Sequence, residues 1–291
     1  MNSKNDCTFD NGLTSIGKTR VIGDRNLVNK NYLSYKETEI FFNFNDNVID
    51  NIFNILIVGS SDIENPYFGG FFFFSGKFPD QYPFFPPKLV AKTQGSCIRF
   101  HPNFYINGKC CLSILGTWAG PPWTSCQNIG SLSHTIKSLF IKHPITQEPG
   151  WEDKGLTDES IIYSRIIEYS TLEIAVIGMI TNPPQNLEYF VPIMKGIFLN
   201  NYDKYITKLD NLMSYDLKTE HSKLFNLKVT YNIKYLKNKY IDLYKKLNKK
   251  KSPNKSANEL EINTIQISEN DGCKWTVKET KTGNRWYKYK Q

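Results

Sequence analysis

"HPNFYINGKCCLSILGTW", residues 101–118, sets two adjacent cysteines between a glycine and a hydrophobic run. Free cysteine is among the most often buried residue types, so a thiol in such a run is first a candidate for the core. Cys7, Cys97 and Cys273 take the same bland reading. No CxxC occurs anywhere, which leaves thiol–disulfide exchange without support. His101, Cys110, Cys111 and Cys126 offer four ligating atoms, but an adjacent pair chelates awkwardly, and no metal is expected. What distinguishes the stretch is Asn103, eight residues before Cys111 across a turn-rich segment. A thiolate attacking a carbonyl, or an amine attacking a thioester, develops an oxyanion that needs a donor. An amide supplies one without competing for protons. The structural alternative is an Asn side chain bridging backbone groups in a turn. No histidine is placed as a base: His134 falls on an expected helix and His143 precedes Pro144.

Upstream of this stretch, residues 39–44, 52–58, 70–74 and 88–91 are short, aromatic or β-branched runs. Gly, Asn, Asp and Pro separate them, as an antiparallel meander requires. "FPDQYPFFPPK", residues 78–88, carries four prolines and is excluded from a sheet interior. Tyr67, Phe78, Tyr82 and Phe84 are expected to pack their rings against prolines. A short helix over 24–34 is weakly marked, after an aperiodic, polar lead over residues 1–23.

Downstream, Leu132, Ile136 and Leu139–Phe140 form a helical stripe that ends before Pro144. Helices are expected over 158–180, closed by Pro183 and Pro184, and over 187–202. An amphipathic helix from Tyr231 presents Ile233, Leu236, Tyr240 and Leu243 or Leu247 on one face. Ser252–Asn258 reads as a linker. The stretch from Cys273, turning near residues 282–284, reads as a small hairpin, which alone is marginal in water.

Forty per cent hydrophobic content, with 19 Phe and 17 Tyr in 291 residues, suffices for a sizeable core. The longest suspicious apolar stretch, Leu172–Ile180, is broken by Glu173 and Gly178 and falls short of the roughly 20 residues of a membrane span. With no apolar leader at the start and six cysteines in all, an intracellular, cytoplasmic protein with access to the nucleus is expected. The net charge of +8 is uneven: Lys234–Lys255 holds nine lysines and one acid, Asp242. Trp286, Tyr287 and Tyr289 interleave with Arg285, Lys288 and Lys290 in a manner suited to base stacking. One such cluster does not make nucleic acid an expected partner.

His101-Pro102-Asn103, then Gly108, Cys111 and Leu112, resembles the catalytic signature of the ubiquitin-conjugating enzymes. "ENPYFGGFFF" is similar to that family's glycine-pair hairpin and "FPDQYPFFPPK" to its proline-rich loop. "CLSILGTWAGPPW" and "HPITQEPGWED" resemble the larger branch typified by a conjugating enzyme that handles both ubiquitin and the ubiquitin-like modifier FAT ten. Three places depart from the family pattern: Cys110 replaces a small aliphatic residue, "IVGSSD" lacks a proline, and the N-terminal helix is poorly marked.

The resemblance implies an α+β fold, a four-stranded antiparallel meander flanked by helices over 24–155. It implies a helical extension over 156–250, leaving 251–291 as linker and basic, hairpin-like tail. It implies an acyl transferase that takes ubiquitin as a thioester on Cys111 and passes it to a substrate lysine. Asn103 is then the oxyanion donor or the organiser of its loop, and Glu148 the acidic residue that positions the incoming lysine. Trp118 and Trp123 shape the loop beside the cysteine. The implied partners are ubiquitin or a ubiquitin-like modifier, an activating enzyme, a ligase and a substrate protein, with no metal or organic cofactor. A catalytically silent interaction module is the alternative. In extended chain adjacent side chains point oppositely, so Cys111 faces the modifier and Cys110 packs inward.

Overall fold

Strands β1 (Ile40–Phe44), β2 (Ile52–Val58), β3 (Phe71–Lys77) and β4 (Lys88–Ala91) pair antiparallel in chain order in the computed structural model. That model describes residues 13–44, 51–93, 98–248, 255–267 and 274–289. The readings of Cys7, Cys97 and Cys273 lie outside them. The meander follows the expected runs, with β3 ending three residues later than expected. Its register sets Ile55 opposite Phe74, Leu56 opposite Phe73 and Ile57 opposite Phe72.

All four phenylalanines of 71–74 are buried, although alternation sends them to opposite faces. Phe72 meets Phe140 at 4.5 Å and Phe100 at 5.5 Å, and Phe74 meets Phe104 at 5.2 Å. That face supports the 101–118 segment. Phe73 meets Phe190 at 5.6 Å on the other face, so residues beyond 156 cover it. The approach is close: a Cβ on Gly70 would lie 2.6 Å from Thr171 Cγ2.

Helix α1 spans Ser15–Lys30, with Thr14 accepting from the Gly17 amide at 3.1 Å. It begins nine residues before the expected start at 24, inside the stretch read as a lead. Tertiary bonds explain the difference. Buried Asp24 accepts from Arg20 Nε at 2.8 Å, from the Tyr82 hydroxyl, and from the Ile129 amide at 3.3 Å. Arg20 also donates to the carbonyls of Ser125 and Gln127, at 2.8 and 2.6 Å. The short helix α2 (Tyr32–Glu37) follows, and α3 covers Ile129–Ser138 behind an Asn128 capping box.

Beyond the sheet, α4 (Asp158–Ser170) starts at a Thr157 cap and runs through π-type turns into α5 (Met179–Thr181). Helix α6 (Val191–Asn211) runs nine residues past the expected end at 202. The extension is not wholly helical. A hairpin of β5 (Thr219–Ser222) and β6 (Leu227–Thr230) precedes α7 (Ile233–Leu247). Lys208 on α6 is buried, 2.8 Å from Glu168 Oε1, and donates to the Ile63 carbonyl at 2.5 Å. Among the described residues no helix is long and apolar enough to cross a membrane.

The chain divides into two compact units between Lys237 and Asn238. In the second unit the expected hairpin is a three-stranded sheet, β7 (Ile265–Ile267), β8 (Lys274–Thr280) and β9 (Gly283–Lys288). Its turn pairs Thr280 with Gly283, and Val277 is its fully buried centre.

Candidate active site

Residues 101–111 fold back on themselves. The Phe104 amide donates to the His101 carbonyl at 2.9 Å, and Phe104 bridges to Cys110. Gly108, at φ +88°, closes the turn between them, a conformation that glycine adopts without strain. His101 is completely buried. Its Nδ1 accepts from the Asn103 amide at 3.1 Å, which leaves the proton on Nε2, 3.1 Å from the Leu139 carbonyl. Burial pushes the imidazole down to about 3, so it is neutral and unsuited to act as a base near pH 7.

Asn103 and Cys111 are locked backbone to side chain. The Cys111 amide donates to the Asn103 carbonyl at 2.8 Å, and Asn103 Nδ2 donates to the Cys111 carbonyl at 2.7 Å. Facing a carbonyl oxygen fixes the amide's orientation, since its own oxygen would be repelled there. Asn103 Oδ1 is buried with no hydrogen-bond partner.

One cysteine follows the expectation and the other does not. Cys110 is packed inward, as expected, and burial pushes its thiol up to about 12. Cys111 does not stand open: 4% of it is exposed, and its Sγ donates to the Thr117 carbonyl at 3.0 Å. Thr117 closes the loop after Gly116 (φ +68°). Its hydroxyl accepts from the Leu112 amide at 2.9 Å and donates to the Cys110 carbonyl at 2.8 Å. Trp123 packs against Tyr82 and donates to the Pro83 carbonyl at 2.7 Å, whereas Trp118 is half exposed. Between Cys110, Leu115 and the proline loop at Pro79, Phe85 and Pro87 opens a cavity of about 600 Å³.

A histidine–proline–asparagine turn bonded to a cysteine beside a four-stranded meander is now matched by comparison with known proteins. Residues 28–157 match the family model described as "Ubiquitin-conjugating enzyme". This stretch belongs to the ubiquitin-conjugating enzyme family. "Ubiquitin-conjugating enzyme E2 Z" of Xenopus tropicalis is 40% identical over 151 residues, covering 52% of this chain and 48% of the relative. The human protein of that name is 42% identical over 151 residues, covering 52% and 42%. "Probable ubiquitin-conjugating enzyme protein 17" of Caenorhabditis elegans is 32% identical over 220 residues, covering 71% and 29%. That last alignment is longer than the matched domain, so likeness continues into the extension. The chain spans less than half the length of the curated relatives it matches.

Glu148 follows the 3₁₀ turn Pro144–Gln147 of the conjugating domain and is half-buried. Desolvation raises its carboxyl above the usual range, partly offset by the Arg99 charge. No hydrogen bond joins it to Asn103 or Cys111. Sequence reasoning passed over Arg99. Its guanidinium donates to the Pro102 carbonyl and lies between two rings, 4.0 Å from Tyr105 and 3.8 Å from Phe225. The Tyr163 hydroxyl on α4 donates to the Arg99 carbonyl at 3.3 Å. A cation within an apolar stretch, "CIRFHP", was the available signal. Thr117 was missed too, and a threonine after a Gly at a tight loop was its signal.

Proposed function

We propose that Cys111 accepts ubiquitin or a ubiquitin-like modifier as a thioester and passes it to a substrate lysine. The thiolate attacks the carbonyl of the activating enzyme's thioester, and that enzyme's thiolate leaves. A lysine amine then attacks the new thioester, and the Cys111 thiolate leaves as an isopeptide bond forms. Both steps pass through an oxyanion and exchange one acyl bond for another. The observation that carries the reading is the pair of hydrogen bonds between Asn103 and Cys111. One Nδ2 hydrogen holds the Cys111 carbonyl, which sets the cysteine's backbone. The second is left for the oxyanion. Loading requires the Cys111 thiol to give up its proton, and with it the hydrogen bond to the Thr117 carbonyl. Glu148, with its carboxyl raised by desolvation, supports a role in guiding the incoming ammonium group and taking up its proton. The modifier, activating enzyme, ligase and lysine substrate are the partners this cycle needs.

The test supplies ubiquitin, activating enzyme and ATP and looks for an adduct cleaved by thiol reductant. Cys111→Ser is expected to give an alkali-labile oxyester or no adduct, whereas Cys110→Val still charges. Asn103→Ala is expected to charge normally but discharge to lysine about 100-fold more slowly. A thioester mapped to Cys110 would overturn the assignment. Loss of charging together with thermal stability in Asn103→Ala would leave that residue a purely structural role. No adduct with any modifier and activating enzyme would favour the silent module.

A further inference from the structure

The positive charge of the chain sits in its second unit. Residues 238–291 hold 13 Lys and Arg against 6 Asp and Glu, a formal +7 of the chain's +8. The unit bearing the conjugating domain is therefore close to neutral. A charge so concentrated attracts polyanions to one place.

Residues 239–255 carry +6 of that charge, and residues 256–291, which form the three-stranded sheet, set six Lys and Arg against five acids, so what matters at the sheet is how its own cations are arranged. Ile265, Thr276 and Tyr287 are successive cross-strand neighbours, and Lys278 lies opposite Arg285. Alternation adds Tyr289 to the same face. The linear cluster of Trp286, Tyr287 and Tyr289 is thus divided between two faces. Trp286 turns with buried Val277 to the covered side, where its Nε1 donates to the Lys255 carbonyl at 2.9 Å. Tyr287 and Tyr289 stay on the open side, 43% and 41% exposed. A cleft of about 510 Å³ runs over this open face, with Thr276 at its floor and Asn263 on its wall. Lys278 Nζ stands 5.7 Å from the centre of the Tyr287 ring, and Lys274 and Arg285 are exposed beside it.

We propose that this open face binds single-stranded nucleic acid, with Tyr287 and Tyr289 stacking on bases and Lys274, Lys278 and Arg285 meeting phosphates. Exposed rings on a sheet flanked by cations suit unpaired bases, whose faces are available. A duplex hides those faces within its own stack. An acidic peptide would satisfy the lysines but leave both tyrosine rings and Ile265 without a matching surface. The Thr276 hydroxyl and Asn263 amide add donors and acceptors in the cleft.

The test uses the full chain and fluorescent oligomers of about 15 nucleotides, oligo(U), oligo(dT) and a duplex, read by anisotropy. Either single strand is expected to bind in preference to the duplex and polyglutamate, and to weaken steeply between about 50 and 200 mM salt. Tyr287→Leu and Tyr289→Leu are each expected to lose about tenfold in affinity, and Tyr287→Phe to retain it. Lys278→Ala is expected to lower affinity for all single strands and flatten the salt dependence. The proposal is overturned if neither single strand binds, or if duplex or polyglutamate competes equally. It is also overturned if the Leu and Phe variants at Tyr287 behave alike.

Discussion

The four-stranded and three-stranded sheets share one connectivity, consecutive antiparallel strands joined in chain order, and differ in how many faces they bury. In the first, β3 sends Phe72 toward Phe100 and Phe140 and Phe73 toward Phe190, so residues 71–74 are covered on both sides. In the second, Val277 is buried on one side while Tyr287 and Ile265 stay open on the other. A strand packed on both sides reads in sequence as an unbroken apolar run, "GGFFFF", and offers no surface of its own to a partner. A sheet packed on one side alternates and keeps a surface for partners. Strand pairing is common to both, so face burial decides which substitutions are costly and which surface is available for recognition.

The largest effects should come from the doubly buried sheet. Phe72→Ala and Phe73→Ala are each expected to cost about 3–5 kcal/mol in denaturant unfolding. A cost for Phe73→Ala well below that of Phe72→Ala would mean that residues beyond 156 cover their face only loosely. Lys208→Ala, which strands Glu168 and the Ile63 carbonyl, is expected to cost about 3 kcal/mol by the same measurement. An effect below about 1 kcal/mol would show that water replaces the lysine there.

His101 beneath the first sheet gives a pH signature. Its folded value of about 3 lies below the roughly 6.5 of an unfolded histidine, so the unfolded chain binds the proton first. Stability is unaffected by this group above about 6.5 and falls as pH drops toward 3, by about 1.4 kcal/mol per unit. Unfolding midpoints between pH 7.5 and 5 should therefore slope less steeply in His101→Gln than in the parent chain, and equal slopes would contradict the burial argument. The smallest effects belong to the second sheet. Val277→Ala is expected to cost about 1–2 kcal/mol, and Ile265→Ala less than about 0.5, read as hydrogen exchange of β8 and β9. Similar costs for both would break the contrast between covered and open faces.

Much of this was legible in the residues themselves. The four strands of the first sheet end within a few residues of their apolar runs, because turn residues stop each one. The His101–Asn103 turn, Cys111 and the inward Cys110 were readable as a motif. Helix α1 was not, because its apolar periodicity is weak and Asp24, Arg20 and Tyr82 supply the fixing bonds from distant positions. The β5–β6 hairpin was hidden by its composition: "TEHS" and "LKVT" are short and polar, and their pairing with one another is the information that sequence lacks. Strand β7 has only three residues, too few for alternation to show. The covered thiol of Cys111 depends on Thr117 folding back over it, a loop geometry that no periodicity reports.

Arg99 has a consequence for energetics. Its guanidinium is held between Tyr105 of the turn and Phe225 of the β5–β6 connection, and Phe225 adopts φ +59°, a backbone region unfavourable for an aromatic residue. Two distant segments thus share one cation, and their free energies are linked. A ligand that tightened the turn around Cys111 would stabilise the Phe225 conformation, and a ligand that released Phe225 would loosen the turn by the same amount. One cation thus ties the β5–β6 connection to the turn that precedes the cysteine.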